Sequence, residues 1–350
     1  MLDFSTVVFN DLAIHRVGNK HNEEDFYISP STFNLTEGLS LLILDYFIKP
    51  FMKLQDSHHF SHEIDLSYNE LNGICTDIFA NPESLYINSV KILQHLHEQS
   101  QHPHIKTGDV FVAHFSDILY QDKMVQAVGI FKSENKTSFL EVAQDANGLE
   151  VMEKYGIDIK KLDKGCFVFN LEQEDGFRVC TIDSNNYDTE YWINDFLGIK
   201  PIEDEVFHTK EYVNLCKGFS DEVIHGSSDS KTDEINFLNK SVKYLERNED
   251  IDIEDFKEEV LDTEEKKKEF DQYKTMYENE NNVAIPDSFH VSQPVLEKQK
   301  KKIKNEIKLD TNIQIKVSVD NPESTDRFIE KGYDHERDMN FYKIYFNNEL

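Results

Sequence analysis

The chain has 350 residues, a length that suggests about two domains, and 30% of them are charged. No stretch approaches the roughly 18 consecutive apolar residues of a membrane helix, and Met1 to Phe4 lacks the basic and apolar regions of an export signal, so neither membrane insertion nor export is expected. Lys and Arg number 37 against 67 Asp and Glu, and the resulting formal charge of −30 argues against a protein that coats nucleic acid with its whole surface.

The N-terminal part mixes strand and helix periods. Phe4 to Val17 is rich in β-branched and aromatic residues, stops at the turn pair Gly18-Asn19, and reads as strand. Leu39, Leu42, Ile43, Tyr46 and Phe47 form one helical face, with Thr36 as a cap and Pro50 near the end. A second helix starts at Asn81-Pro82, with Leu85, Ser89, Ile92 and Leu96 along one side. Four apolar runs follow: Asp109 to Phe115, Met124 to Phe131, Cys166 to Leu171 and Phe177 to Ile182. The last two are joined by the hairpin signal Asp175-Gly176. This order predicts an antiparallel meander. Tyr191 to Leu197 reads as a short helix ended by Gly198, and Tyr212, Leu215, Cys216, Phe219 and Val223 as another helical face.

The polar segment 226–234 reads as a linker. Beyond it, Ile235, Leu238, Val242 and Leu245 mark a helical seam, residues 252–255 an acidic first turn, and Phe270, Tyr273 and Tyr277 a further helix. A Lys-rich helix is expected from Val295 to Ile307. Two strands close the chain, Ile313 to Val319 and Phe341 to Phe346, with a polar loop over 320–340 between them. The expected fold is α+β: an antiparallel sheet with flanking helices over 1–225, the linker 226–234, then a helical segment and C-terminal β-hairpin over 235–350.

Catalytic and metal signatures are sparse. Cys75, Cys166, Cys180 and Cys216 form no CxxC pair and read as buried free thiols. Seven of the 14 histidines lie between His58 and His104. His58 and His62 could share a helix face, but the pairs His95/His97 and His102/His104 diverge, so solvated histidines are expected and no metal site. Residues 183–188 imitate a calcium loop without its glycine and glutamate. There is no P-loop, GxSxG, HExxH or GxGxxG, hence no cofactor expectation. A metal-dependent nuclease could be assembled from Asp109, Asp117 and Lys132, as the least favoured reading.

The one basic feature is Leu296 to Lys308, with six Lys and two Glu, net +4. Lys298, Lys300, Lys301, Lys302, Lys304 and Lys308 make it the candidate phosphate-binding face. A solvated helix face balancing an acidic neighbour explains the same residues.

Three segments together resemble the bacterial nucleoid-associated protein family of the NdpA/YejK type. The first is Ile14-His15-Arg16-Val17-Gly18-Asn19-Lys20 followed by Leu41 to Phe51. The second is Asp195 to Pro201 followed by Thr209 to Phe219. The third is the C-terminal order of acidic helices, Ala284 to Phe289, Lys-rich helix and closing strands. The resemblance spans nearly the whole chain and implies a cytoplasmic, nucleoid-located, DNA-associated protein that is not an enzyme. It also implies type II topoisomerase subunits as partners, and homo-oligomerisation is compatible with it. The family offers no active-site motif. In its 14–20 segment, His15, Arg16 and Lys20 are candidate exposed polar contacts to DNA. The competing reading is an acidic protein-interaction adaptor without direct DNA contact, and the charge of −30 keeps it open.

Overall fold

The computed structural model describes residues 2–52, 54, 56–120, 122–145, 148–185, 191–225, 231–303, 305–317 and 328–348. They divide into two compact units, Met1–Ile202 and Glu203–Leu350.

The first unit holds strands β1 (Leu2–Asp3), β2 (Val8–Val17), β3 (His58–Phe60), β4 (Gly108–Tyr120), β5 (Lys123–Ser133), β6 (Lys136–Asp145), β7 (Gly148–Ile157), β8 (Lys164–Phe169), β9 (Arg178–Asp183) and β10 (Ile199–Pro201). Its α-helices are α1 (Glu37–Ile48), α2 (Glu70–Ala80) and α3 (Leu85–Gln99), and the short helix expected at Tyr191 to Leu197 is present as a π-helical segment. Eight strands form one antiparallel sheet: β1 and β2 both pair with β4, and the order continues β5-β8-β9-β3-β10. β6 and β7 pair only with each other.

Both faces of this sheet are apolar, which is why β8 is buried at every position. Val110, Val112, Val128, Ile130, Cys166 and Val168 point to one side, where Leu71, Ile74 and Ile78 of α2 and Ile92, Leu93 and Leu96 of α3 cover them. The alternate residues Phe111, Phe115, Phe131, Phe167 and Phe169 point to the other side and meet Phe47 of α1 and Phe51. Phe47 and Phe131 stack with ring centroids 3.9 Å apart. Gly129 and Gly165 lie among these rings, where a Cβ on Gly165 would come within 2.8 Å of Phe131. Large rings therefore interdigitate with glycine on this face.

The second unit contains α4 (Glu205–Phe219), α5 (Lys231–Arg247), α6 (Ile253–Val260), α7 (Glu264–Asn281) and α8 (Gln293–Lys300). Three short hairpins accompany them: β11 (Asp250–Asp252) with β12 (Ser288–His290), β13 (Glu306–Lys308) with β14 (Gln314–Lys316), and β15 (Ile329–Asp334) with β16 (Met339–Ile344). Asp204 caps α4 by accepting from the Val206 and Phe207 amides, and Asp252 caps α6 in the same way. Tyr212, Leu215 and Phe219 of α4 share one core with Phe237, Phe256, Phe270 and Phe289.

The expected α+β class, the meander β4-β5-β8-β9 and a C-terminal β-hairpin are present, but the two expected closing strands are not partners: β14, within 313–319, pairs with β13, and β16 pairs with β15. Several details differ. Helix α4 belongs to the core of the second unit, so the division falls at Ile202/Glu203, earlier than the 226–234 segment. Of that segment, 226–230 lies outside the described residues and 231–234 opens α5. His58 stands on a strand, paired across to Val179, and shares no helix face with His62. The Lys-rich helix stops at Lys300. Four lysines within the five residues 298–302 repel one another, and Ile307 is instead buried in β13 opposite Ile315. Part of the expected 320–340 loop is strand β15, paired to β16, while 318–327 lies outside the described residues.

Candidate functional site

The 14–20 segment ends β2, and its residues divide sharply by burial. His15 is 2% exposed. Its Nδ1 accepts from the Ser29 amide at 3.2 Å, so the ring proton sits on Nε2 and is donated to Ser89 Oγ at 2.9 Å. Ser89 Oγ in turn donates to the Tyr86 carbonyl at 2.7 Å. The pair looks like a Ser–His dyad, but the hydroxyl hydrogen points away from the imidazole. Burial holds the His15 pKa below its ordinary value and keeps the ring neutral. His15 is thus a buried structural group and corrects the expectation of an exposed contact.

Asn19 is fully buried and clamps the turn. Its Nδ2 donates to the carbonyls of His102 (2.9 Å) and Ile105 (2.6 Å), and its Oδ1 accepts from the amides of His21 and Asn22. Gly18 is required by close approach, since a Cβ there would run into the Asp25 and Glu24 carbonyls. Arg16 and Lys20 are exposed, and Arg16 pairs with Asp109 at 2.7 Å. The segment is mainly a structural clamp with two cations on its surface.

At the same end of the sheet lies a buried charge cluster that the sequence reading does not anticipate as a unit. Lys132 of β5, Lys164 of β8 and Asp183 of β9 are directly opposite one another across the strands. Both lysines are at most 1% exposed. Lys132 uses all three of its donors, on the Lys106 carbonyl (2.7 Å), Glu134 (2.8 Å) and the Tyr191 hydroxyl (3.2 Å). Lys164 meets Asp183 at 2.6 Å. The Tyr191 ring centroid lies 5.7 Å from the Lys132 ammonium and 5.3 Å from that of Lys164. Burial lowers the Lys132 pKa against the opposing pull of Glu134.

Asp163 completes the cluster, accepting from the amides of Glu134 (2.7 Å) and Asn135 (3.0 Å) and from the Asn135 side chain (2.7 Å). Burial alone would raise its pKa, but these hydrogen bonds prevail and hold it below the ordinary value. A cleft of about 780 Å³ opens beside the cluster, with Lys106, Lys161, Lys164, Asn135 and Tyr191 on its walls. Lys132 and Asp163 are saturated by their partners, so the arrangement fastens strand ends and offers neither of them as a base or nucleophile.

The nuclease set is not brought together. Asp109 and Asp117 sit near opposite ends of β4, Asp117 in a bulge with φ of 56°, and Lys132 is buried in the cluster just described. Among the described residues no group of three or more His, Cys, Asp or Glu is placed to hold a metal. The histidines are not uniformly solvated: His95 is buried on α3, its Nδ1 2.9 Å from Glu70 and its Nε2 2.9 Å from the Phe196 carbonyl.

The basic face of the second unit is shorter than a continuous helix would make it. Lys298 is exposed on α8, and Lys301 and Lys302 are exposed in the turn that follows. Lys300 is drawn to Glu246 of α5 at 2.6 Å. Lys308 lies on β13, 3.0 Å from Glu306, and Lys304 lies outside the described residues. The structure adds Lys217 of α4, which packs beside α8. Partial burial, and then the nearby Lys302 charge, hold the Lys217 pKa below its ordinary value. No sequence periodicity links Lys217 to the 298–302 run, because the two are joined only by helix packing.

The model of one protein family, nucleoid-associated protein YejK, matches residues 13–339. The chain belongs to this family. The match begins at the 14–20 clamp and takes in the buried charge cluster and the basic face. No curated protein matches the chain. Family membership gives the protein a nucleoid-associated role and a nucleoid location in the cytoplasm. Among the described residues, no helix is long and apolar enough to cross a membrane.

Proposed function

We propose that this family member works at the nucleoid without catalysing a reaction, and that it touches DNA weakly through the face formed by Lys217, Lys298, Lys301 and Lys302. The observation that carries this reading is the approach of Lys217 to Lys302. Two cations from separate elements lie within electrostatic range of each other, in a chain whose formal charge is −30. Asp221 offsets part of this repulsion on Lys217, and a duplex phosphate backbone is an anion that would relieve the remainder. Lysines near a helix C-terminus also offset the helix dipole, which accounts for Lys298 at the end of α8 and for Lys217 in the last turn of α4, but not for the approach of Lys217 to Lys302. The remaining acidic surface keeps the contact local and weak, and favours a protein partner such as a type II topoisomerase subunit for firm attachment.

The test is fluorescence anisotropy of a labelled duplex across a salt series, comparing the wild type with Lys217→Gln/Lys301→Gln/Lys302→Gln. The variant should bind more weakly by a similar factor on every DNA sequence, and its salt slope should fall by about 0.9 for each phosphate it no longer neutralises. An unchanged slope moves the contact elsewhere, with Arg16 and Lys20 next in line. A wild type that binds no DNA at low salt makes the protein partner the sole route to the nucleoid.

A further inference from the structure

The carboxylates of the buried charge cluster are engaged on both oxygens. Glu134 accepts from Lys132 at 2.8 Å and from the Asn185 side chain at 2.9 Å. Asp163 accepts from the Glu134 and Asn135 amides with one oxygen and from the Asn135 and Asn185 side chains with the other. Asp183 accepts from Lys164 at 2.6 Å and from the Asn185 amide at 2.9 Å. The ammonium groups are not so evenly served. Lys132 meets three acceptors, whereas Lys164, 1% exposed, meets only Asp183 among the described residues and lies 5.3 Å from the Tyr191 ring centroid. An ammonium carries three donors, and a buried donor left unmade is costly. Lys164 lines the cleft of about 780 Å³, so its remaining acceptors have to come from what the cleft holds.

Two more cations line the same cleft. Lys106 donates to Asn135 Oδ1 at 2.8 Å, and Lys161 is exposed and has no carboxylate partner among the described residues. Lys106, Lys132, Lys161 and Lys164 thus stand against three carboxylates, all of them engaged. Water can supply acceptors to these donors but cannot balance the charge. The clamp of the 14–20 segment fixes one wall, because Asn19 holds the Ile105 carbonyl next to Lys106 at 2.6 Å.

We propose that this cleft binds a small phosphate compound, with Lys164 as its buried contact and Lys106 and Lys161 as its exposed ones. The formal charge of −30 repels anions at long range, so capture needs a local, partly enclosed set of cations of this kind. The cations on the cleft walls are lysines; the paired fork of arginine that suits a carboxylate is absent from them, while lysine binds phosphate as a point charge. The volume falls within the roughly 300–1,000 Å³ of pockets that take small organic ligands. The cleft lies wholly within the first unit, so the proposal does not rest on the DNA face of the second.

Isothermal titration calorimetry of the full chain at low salt, with orthophosphate, pyrophosphate and ADP as probes, tests it. At least one probe should bind saturably, at one site per chain. Lys106→Gln and Lys161→Gln should each weaken that binding by roughly tenfold, since each removes a charge-assisted contact. Both residues are exposed, so circular dichroism of these variants should match the wild type. Lys123→Gln, the same change at the far end of β5, should have no effect. Lys164→Met/Asp183→Asn removes the buried pair together and should abolish binding; the two exposed variants decide the matter if that pair proves necessary for folding. ADP binding more tightly than pyrophosphate identifies an organic phosphate as the ligand, and equal binding an inorganic one. A short DNA duplex should not displace the probe, because a rod-like backbone does not reach a buried lysine. Absence of saturable binding by all three probes overturns the proposal, as does binding that is unchanged in both exposed variants or is displaced by the duplex.

Discussion

Lys132 and Tyr191 meet at the end of the sheet, the ammonium donating to the hydroxyl at 3.2 Å while also lying 5.7 Å from the ring centroid. Two further acceptors, the Lys106 carbonyl and Glu134, complete the lysine's hydrogen bonding. Replacing one partner of a buried ion pair leaves the other charge without compensation. Lys132→Met should therefore cost about 3–5 kcal/mol, since the Glu134 side chain is only 4% exposed. Urea denaturation followed by circular dichroism measures this. The double variant Lys132→Met/Glu134→Gln should recover part of the loss. A single variant as stable as wild type would show that Glu134 finds water or another cation.

Asp163 gives the cluster an acid sensitivity of defined sign. Its folded pKa lies below the ordinary 3.8, so the carboxylate stabilises the fold fully above 3.8 and that contribution disappears as pH falls through the folded value. Asp163→Asn presents an amide to the Glu134 and Asn135 N–H donors and should lower stability at neutral pH by roughly 2–3 kcal/mol. The gap between wild type and variant should stay constant down to about pH 5 and then narrow. A gap independent of pH would mean that Asp163 does not carry its charge in the folded state.

His15 acts in a higher pH window. Burial lowers its folded pKa below 6.5, so the unfolded chain binds the proton more readily. Stability from this group is complete above 6.5 and declines as pH falls from 6.5 to the folded value, where it levels off. His15→Gln can still accept from the Ser29 amide and donate to Ser89, and has no charge to acquire. It should lose about 1 kcal/mol at neutral pH and show a flatter stability profile between pH 7 and 5. A variant with the wild-type slope would assign the acid sensitivity to other histidines.

Legibility in the sequence follows the range of the interactions. The meander is readable because β4, β5, β8 and β9 carry continuous apolar runs and Asp175-Gly176 marks a hairpin; Gly176 takes a φ of 103° with a Cβ position blocked by Phe60. Helix α2 is harder to read although Leu71, Ile74, Cys75 and Ile78 lie on one face, because its cap, Asn69, does distant work as well. Asn69 accepts from the Asn72 amide and donates to the Ser61, Leu197 and Gly198 carbonyls, links that only the folded chain supplies. The ribbon β6–β7 is illegible because its charged and apolar residues alternate without a buried side to give the alternation meaning. Within the 14–20 segment, Gly18-Asn19 reads correctly as a turn. Burial of His15 depends on Ser89, 74 residues away, and no local pattern carries that information. The basic face is half legible, as the lysines of 298–302 are adjacent in sequence while Lys217 joins them only through helix packing.

The position of the unit boundary can be decided with two fragments. Both apolar layers of the sheet, from Leu12 to Ile199, are complete within residues 1–202. Residues 203–225 add α4, whose Tyr212, Leu215 and Phe219 find their partners in Phe237, Phe256 and Phe270 further along the chain. A fragment ending at Ile202 should therefore be soluble and melt cooperatively. A fragment ending at His225 should melt at the same temperature, because α4 adds nothing to either sheet layer. It should also bind a hydrophobic dye and aggregate more readily, since three large apolar side chains lose their cover, each worth roughly 1.5–3 kcal/mol when buried. Differential scanning calorimetry and dye fluorescence on the two fragments distinguish the cases. If the longer fragment melts higher and binds less dye than the shorter one, α4 folds with the sheet and the boundary returns to 226–234.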